Sequence, residues 1–463
     1  MITQKVFTNE LENRIDPHYY KPEFLRLISQ MSKGDKQLKP LSEVSIKIAS
    51  GATPLSGGSA YTDRANGIPF IRSGDINENE TINYNDILYI KESIHNKKLK
   101  SSKLQKDDVL IAIVGATIGQ VSVYKESEEA NINQAIAIVR CSEKINPRYV
   151  KAFLLSEFGQ KQLERIKRPV ARANINLEEV GSIKLPIIPL ELQNKIANII
   201  HKAYLDKEEK LKQADELLGS IDDFVRQQLG IDYKEPEEEK IYTVNSQDIE
   251  NNRQDPSYHN PKFATTINQL KRGKFPLKEL GNYITEIRYG ASIKNDYVDD
   301  GIPLLRILNL KPNKIDLRDV VRLPKSKSKE IGNCYVYEND LLISRSGSIG
   351  IVAVVPKEAD GFAYGSFMIK FRVNEQLDNN YVSIWLNSDI SKLLVHRERI
   401  GAIQGNITIP TIQSFLLPLP PLQKQREISK SVFEKYQEVE KLKTEASELL
   451  KQAKKQVEAM ILN

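Results

Sequence analysis

The side chains able to make or break bonds are few in this chain, and their spacing is unpromising. Its five histidines (His18, His95, His201, His259 and His396) show no metal-ligand spacing. Cys141 and Cys334 stand alone, with no CxxC pair and no disulfide framework. No nucleophile–base arrangement can be read from them, and the carboxylates fall mostly on helix surfaces. Two glycine-rich strings, GATIG from Gly115 and GSIG from Gly347, come nearest to a phosphate cradle. Neither belongs to a G-x-x-x-x-G-K-[ST] string or a complete dinucleotide fingerprint. Each lies between two apolar runs, which favours a tight turn between strands with its backbone free to approach a ligand.

Two DPxY strings, Asp16 to Tyr19 and Asp255 to Tyr258, resemble the D/N-P-P-Y/F motif of amino-group methyltransferases. Both lack the second proline, neither follows an apolar strand, and no F-x-G-x-G loop for S-adenosylmethionine is present. Packing of an N-terminal arm is the better reading. The residue types point to binding, with no catalytic site, metal or cofactor expected in this chain.

Positive charge is what remains. One cluster holds Lys91, Lys97, Lys98, Lys100, Lys103 and Lys106; a second holds Arg322, Lys325, Lys327 and Lys329. Further clusters follow an amphipathic helix in each half: Arg165, Lys167, Arg168 and Arg172, then Arg397 and Arg399. From these clusters Lys97, Lys98, Lys100, Lys103, Lys325, Lys327, Lys329, Arg165, Lys167, Arg168, Arg172, Arg397 and Arg399, with Arg345 in SRSGSIG and Gln404 in AIQGNI, are the candidate DNA contacts. Lysine and arginine concentrated in loops suit phosphate contacts, and arginine can also read guanine edges. A net charge of +6 and a pI of 8.8 lean the same way, weakly.

The elements that must position these residues form a tandem repeat. DPHYYKPEF at Asp16 matches DPSYHNPKF at Asp255, an offset of 239, and from Asp108 against Asp340 the offset settles at 232. Each half begins with about 165 residues of short β-branched runs bounded by turn residues, then a helix over Arg148–Ile166 or Asn380–Ile400. A proline-marked entrance follows, LPIIPLELQNKI from Leu185 and LPLPPLQKQREI from Leu417, and then a long helix. Pro189 and Pro421 suit a first helical turn. Apolar residues recur at alternating spacings of three and four in two runs of one helix, Ile196, Ile199 and Ala203 and then Leu211, Ala214, Leu218, Ile221 and Val225. Ile428 to Met460 repeat this in the other. Such seams predict that the two helices pair. The stretch Gly230 to Gln247 reads as an acidic, solvated connector.

The expected fold is therefore α+β: two mixed domains related by a pseudo-two-fold axis and separated by an antiparallel coiled coil. The segments are 1–185 and 254–417 for the mixed domains, 186–230 and 418–463 for the long helices, and 231–253 for the linker. Antiparallel pairing would let the chain read two half-sites, and loops that differ between the halves would make the target asymmetric. The N-terminus has no apolar signal region and no run is long enough to cross a bilayer, so a cytoplasmic location is expected.

Together with the doubled proline entrance and the D-x-L/V-L…G-x-x-G strand–turn at Asp108–Gly119 and Asp340–Gly350, this plan resembles the specificity subunit of type I restriction–modification systems. The resemblance covers essentially the whole chain. It implies a non-catalytic subunit that binds double-stranded DNA and recruits two adenine-N6 methyltransferase subunits, to which restriction subunits can join. S-adenosylmethionine, ATP and Mg would belong to those partners. It also makes Pro189, Leu190, Gln193, Pro421, Leu422 and Gln425 candidate methyltransferase contacts. The competing readings are a type IIB-like recognition subunit, a coiled-coil protein scaffold and a stand-alone methyltransferase.

Overall fold

A computed structural model describes residues 14, 16–31, 37–55, 58–168, 173–245, 255–294, 296–398 and 406–462. The chain divides into two compact units, residues 1–213 with 441–463, and residues 214–440.

The first unit is built on β1 (Ser45–Ser50), β2 (Val109–Ala112), β3 (Val121–Val123) and β4 (Ile136–Cys141), antiparallel in the order β1-β4-β2-β3. The unbroken apolar run in β2 follows from burial on both faces. Val109 and Ile111 pack against the helices, while Leu110 faces a second core beneath an outer sheet. That outer sheet places Ile68–Ile71 between Leu88–Ile90 and Asn131–Ile132. The turn from β2 to β3 needs Gly115 and Gly119, at φ of +81° and +95°, where a side chain would be strained.

The helix expected over 148–166 is two helices, α1 (Pro147–Leu155) and α2 (Glu157–Ile166). Ser156 breaks it, its Oγ accepting from the Gly159 N–H at 3.5 Å as an N-cap. The two helices approach so closely that a Cβ on Gly159 would lie 2.3 Å from the Leu154 Cα. The LPII string is a strand rather than part of the long helix. Lys184–Ile187 pairs antiparallel with Gln37–Pro40 and closes the domain on itself. The first long helix, Leu190–Leu229, begins just beyond it. Within this unit Ile196, Ile200, Ala203 and Tyr204 share a core with Ala453, Val457 and Ile461 of the second long helix, Leu422–Leu462. Early residues meet late ones, so the segments run antiparallel.

The second unit repeats the plan. Its sheet is β5 (Ile284–Tyr289), β6 (Leu341–Ser344), β7 (Val352–Val354) and β8 (Met368–Val373), in the order β5-β8-β6-β7. Helices α3 (Asn379–Asn387) and α4 (Asp389–Arg397) are separated by Ser388, and Leu277–Glu279 pairs with Leu416–Pro418. Ile221, Val225 and Leu229 pack with Ile428 and Val432, again antiparallel. The seam departs from the sequence reading at several positions: Ile199, Leu211, Leu218, Tyr436, Leu449 and Met460 are half-buried, and Ile200 and Ile461 are buried beside Ile199 and Met460. The connector is exposed but not loose. The Lys234 backbone exchanges hydrogen bonds with the Gln269 amide at 2.8 and 3.0 Å, which lays the connector along helix Pro261–Lys271.

The two units differ in how an outer turn is fastened to the helices. In the first, Glu80 (φ +67°) lies 3.0 Å from Lys151 Nζ and 2.9 Å from Arg148, with both Glu80 and Lys151 buried. Burial would raise the Glu80 carboxyl, yet Lys151 and Arg148 hold it below the usual carboxylate value. In the second, Asn313 (φ +60°) takes that place and carries no charge. It accepts from Ser383 Oγ at 2.8 Å and from Asn387 Nδ2 at 3.0 Å, and donates to Tyr436 Oη at 3.0 Å. Removing one partner of a buried pair strands the other charge. Glu80→Gln is therefore expected to cost about 3 kcal/mol in chemical denaturation, while Glu80→Leu with Lys151→Met stays within about 1 kcal/mol of wild type.

Candidate nucleic-acid interface

Loops can present charge to a ligand only if the domain beneath them is held still, and each domain is held by a duplicated set of buried polar contacts. Gln193 accepts from the Asn146 N–H at 2.8 Å and donates to the Ile188 carbonyl at 2.9 Å. Gln425 accepts from the Asp378 N–H at 2.8 Å and donates to the Pro420 and Gln376 carbonyls at 2.9 and 3.0 Å. Both amides therefore join the first turn of a long helix to the N-cap of α1 or α3. Tyr149 and Tyr381 donate to the Pro186 and Pro418 carbonyls of the entrance strands at 2.7 and 2.8 Å. Burial pushes both phenols well above their usual value, so they remain donors. Under each sheet a buried aspartate pairs with an arginine: Asp108 with Arg140 at 2.7 and 2.8 Å, and Asp340 with Arg372.

These contacts change the roles of several residues expected at interfaces. Gln193 and Gln425 are 2% and 0% exposed, so they tie helix to domain and offer nothing to a separate subunit. Their neighbours Pro189, Leu190 and Pro421 are exposed, and Leu422 is half-buried. Arg165 is buried, with its guanidinium carbon 3.7 Å from the Tyr19 ring centroid and its Nε on the Tyr19 carbonyl at 3.0 Å. Arg397 repeats this on Tyr258 at 4.2 and 3.2 Å. These arginines clasp the DPxY arms, which gives each string a packing role. Arg165 is thus buried in the clasp, whereas Arg397 is half-buried.

The remaining candidates lie at the surface. Lys97, Lys98, Lys100 and Lys329 are exposed and unpaired among the described residues. Lys103 is half-buried and donates to Asn96. Lys325 is exposed, 3.6 Å from Asp300, whereas Lys327 is engaged with Glu330 at 2.8 Å. Lys167 is half-buried, and Arg168 is exposed beside Glu179 at 3.2 Å. Arg345 is half-buried at the end of β6, over the ring of Tyr289. Arg172, Arg399 and Gln404 lie outside the described residues. The lysine clusters occupy corresponding places, each between an outer-sheet strand and the central strand β2 or β6. Exposed ammonium groups on anchored loops can neutralise phosphates without being consumed by the fold.

Among the described residues no cluster of three His, Cys, Asp or Glu could hold a metal ion. Burial pushes the Cys141 thiol up to about 12, too high for a nucleophilic thiolate at neutral pH. No helix among the described residues is long and apolar enough to cross a membrane.

A family model described as the type I restriction modification DNA specificity domain matches twice, at residues 33–216 and 269–452. The chain belongs to that family. Recognition of DNA in a type I restriction–modification system is the role this membership gives it, and each matched segment takes in one copy of the four-stranded sheet with its proline entrance. The putative type I restriction enzyme MjaX specificity subunit of Methanocaldococcus jannaschii is 24% identical over 411 residues, 86% of each chain. The EcoKI specificity subunit of Escherichia coli K12 is 21% identical over 374 residues, 79% of this chain and 74% of that one. The EcoBI specificity subunit of Escherichia coli reaches 33%, but over 151 residues, 32% of this chain and 31% of that one. A solved chain from work on assembly and conformational transition of the type I R-M system has the same fold, with a TM-score of 0.56 at 15% identity over 92% of this chain and 96% of its own.

The recognition domains should therefore separate charge from clasp. Changing Lys97, Lys98 and Lys100 to alanine together should flatten the salt dependence of DNA affinity by about 0.9 in log–log slope per lost phosphate contact. Arg165→Ala should instead lower the thermal midpoint of the first unit and leave that slope unchanged.

Proposed function

We propose that this chain is the non-catalytic specificity subunit that reads an asymmetric, bipartite double-stranded DNA target and recruits two adenine-N6 methyltransferase subunits, through which restriction subunits join. The observation that carries this reading is two recognition domains seated by the same buried contacts yet presenting different loop side chains. Equivalent seats (Gln193 and Gln425, Tyr149 and Tyr381, Asp108 and Asp340) give equivalent placement of each domain on its own long-helix segments. Unlike loops on like seats give unlike half-sites. S-adenosylmethionine, ATP and Mg serve the partner subunits, and the exposed Pro189, Leu190 and Pro421, with the outward helix faces beyond them, offer the methyltransferases a surface.

The reading predicts modular specificity. Replacing residues 254–417 with the corresponding domain of another family member, followed by mapping of methylated adenines in the host genome, should change one half of the recognised sequence and leave the other intact. A change in both halves would refute it. The purified chain alone, given labelled S-adenosylmethionine and duplex DNA, should transfer no methyl group.

A further inference from the structure

The most informative difference between the domains lies where β2 and β6 end. Ile113 and Arg345 hold the same backbone position. The Ile113 N–H donates to Ala135 at 2.9 Å and its carbonyl accepts from Ile175 at 2.9 Å; Arg345 makes the corresponding bonds with Phe367 at 2.9 Å and Ile407 at 3.1 Å. Strand registers align Ser50 with Tyr289, since Ser50 pairs with Ala137 and Tyr289 with Ile369. Thus Ser50, Ile113 and Ala135 in the first domain become Tyr289, Arg345 and Phe367 in the second. Ile113 is 4% exposed, an ordinary core residue, whereas Phe367 is 53% and Tyr289 37% exposed.

An arginine that replaced a core isoleucine for packing would direct its guanidinium at an acceptor. Arg140, Arg165, Arg372 and Arg397 all do so through Nε. Arg345 does not. Its guanidinium carbon lies 4.8 Å from the Tyr289 ring centroid, and among the described residues its side chain makes no ion pair and no hydrogen bond. Its Nε is buried without an acceptor. Arg306 Nε shares that condition and lines, with Phe367, Tyr297 and Leu308, an adjoining concavity of about 710 Å³. A buried donor left unpaired costs free energy, so packing alone does not account for an arginine at this position. The Tyr289 ring lies beside the guanidinium, whose paired donors match the O6 and N7 acceptors of guanine better than a single phosphate oxygen.

We infer that Arg345 is a specificity-determining residue of the second recognition domain and reads a guanine in its half of the DNA target, with Tyr289 orienting it. This rests on the DNA-recognition role above. Arg345→Ile restores the side chain that the first domain tolerates at this backbone position, so folding should survive, and Arg345→Lys keeps the charge while removing the paired donors. Each variant, co-expressed with its methyltransferase subunit, is tested by mapping methylated adenines and by measuring binding to target and unrelated duplexes. The expected result for both variants is that one guanine in one half of the target becomes degenerate. Affinity for the target should fall about tenfold or more, with affinity for unrelated DNA nearly unchanged. An unchanged methylation motif would overturn the inference, as would an equal loss on target and unrelated DNA, which marks a phosphate contact. Failure of the wild-type complex to distinguish any sequence would instead sink the DNA-recognition role, and this inference with it.

Discussion

Gln193 and Gln425 each spend both ends of a buried amide on backbone groups that come from different parts of one recognition domain. One bond reaches the N-cap of α1 or α3, another the carbonyl of Ile188 or Pro420 just past the entrance strand, and a third the carbonyl of Lys144 or Gln376 two residues before the N-cap. Without them the proline entrance would be a hinge between a domain and a helix of about 60 Å, by the rise of 1.5 Å per residue. With them, together with the tyrosine bonds to Pro186 and Pro418, the first turn of the helix is continuous with the domain core. A loop some distance away can then meet DNA in a defined register.

The seat is directed at backbone atoms, and this lets the two domains diverge. A carbonyl or N–H offers the same partner whatever side chain stands beside it, so Pro186 and Pro418 serve equally well despite different surroundings. Side-chain networks show the opposite behaviour. The outer turn is fastened by the Glu80–Lys151 ion pair in one unit and by the neutral Asn313, Ser383 and Asn387 set in the other. Both solutions keep a left-handed residue at the same point and satisfy what they bury, as interior polar groups must.

Much of this was legible in the sequence because it depends on periodicity. The 232-residue offset, the short strands bounded by turn residues, the glycine turns and the long helices all follow from pattern alone. The interface was harder to read, because a positive charge does not declare its partner. Arg165 and Arg345 look alike in a charge count, yet one is clasped on Tyr19 and the other has no acceptor for its Nε among the described residues. Gln193 looked like a surface residue because it sits one turn into an exposed helix, and its burial comes from the Lys144–Asn146 segment folding back over it. The single helix expected over 148–166 failed for a local reason: Ser156 caps a new helix more favourably than it continues the old one.

The cluster at Arg345 could not be seen by reading along one offset. Tyr289 stands 239 residues from Ser50, while Arg345 stands 232 from Ile113, so the strand registers were needed to bring the two comparisons together. Once aligned, they separate scaffold from reader on physical grounds. Where both domains bury the same group, as at Asp108 and Asp340, exchange in either would damage folding. Where one buries isoleucine and the other exposes aromatic rings around an unpaired guanidinium, folding has already accepted both. Specificity can change at such positions without disturbing the seat beneath them.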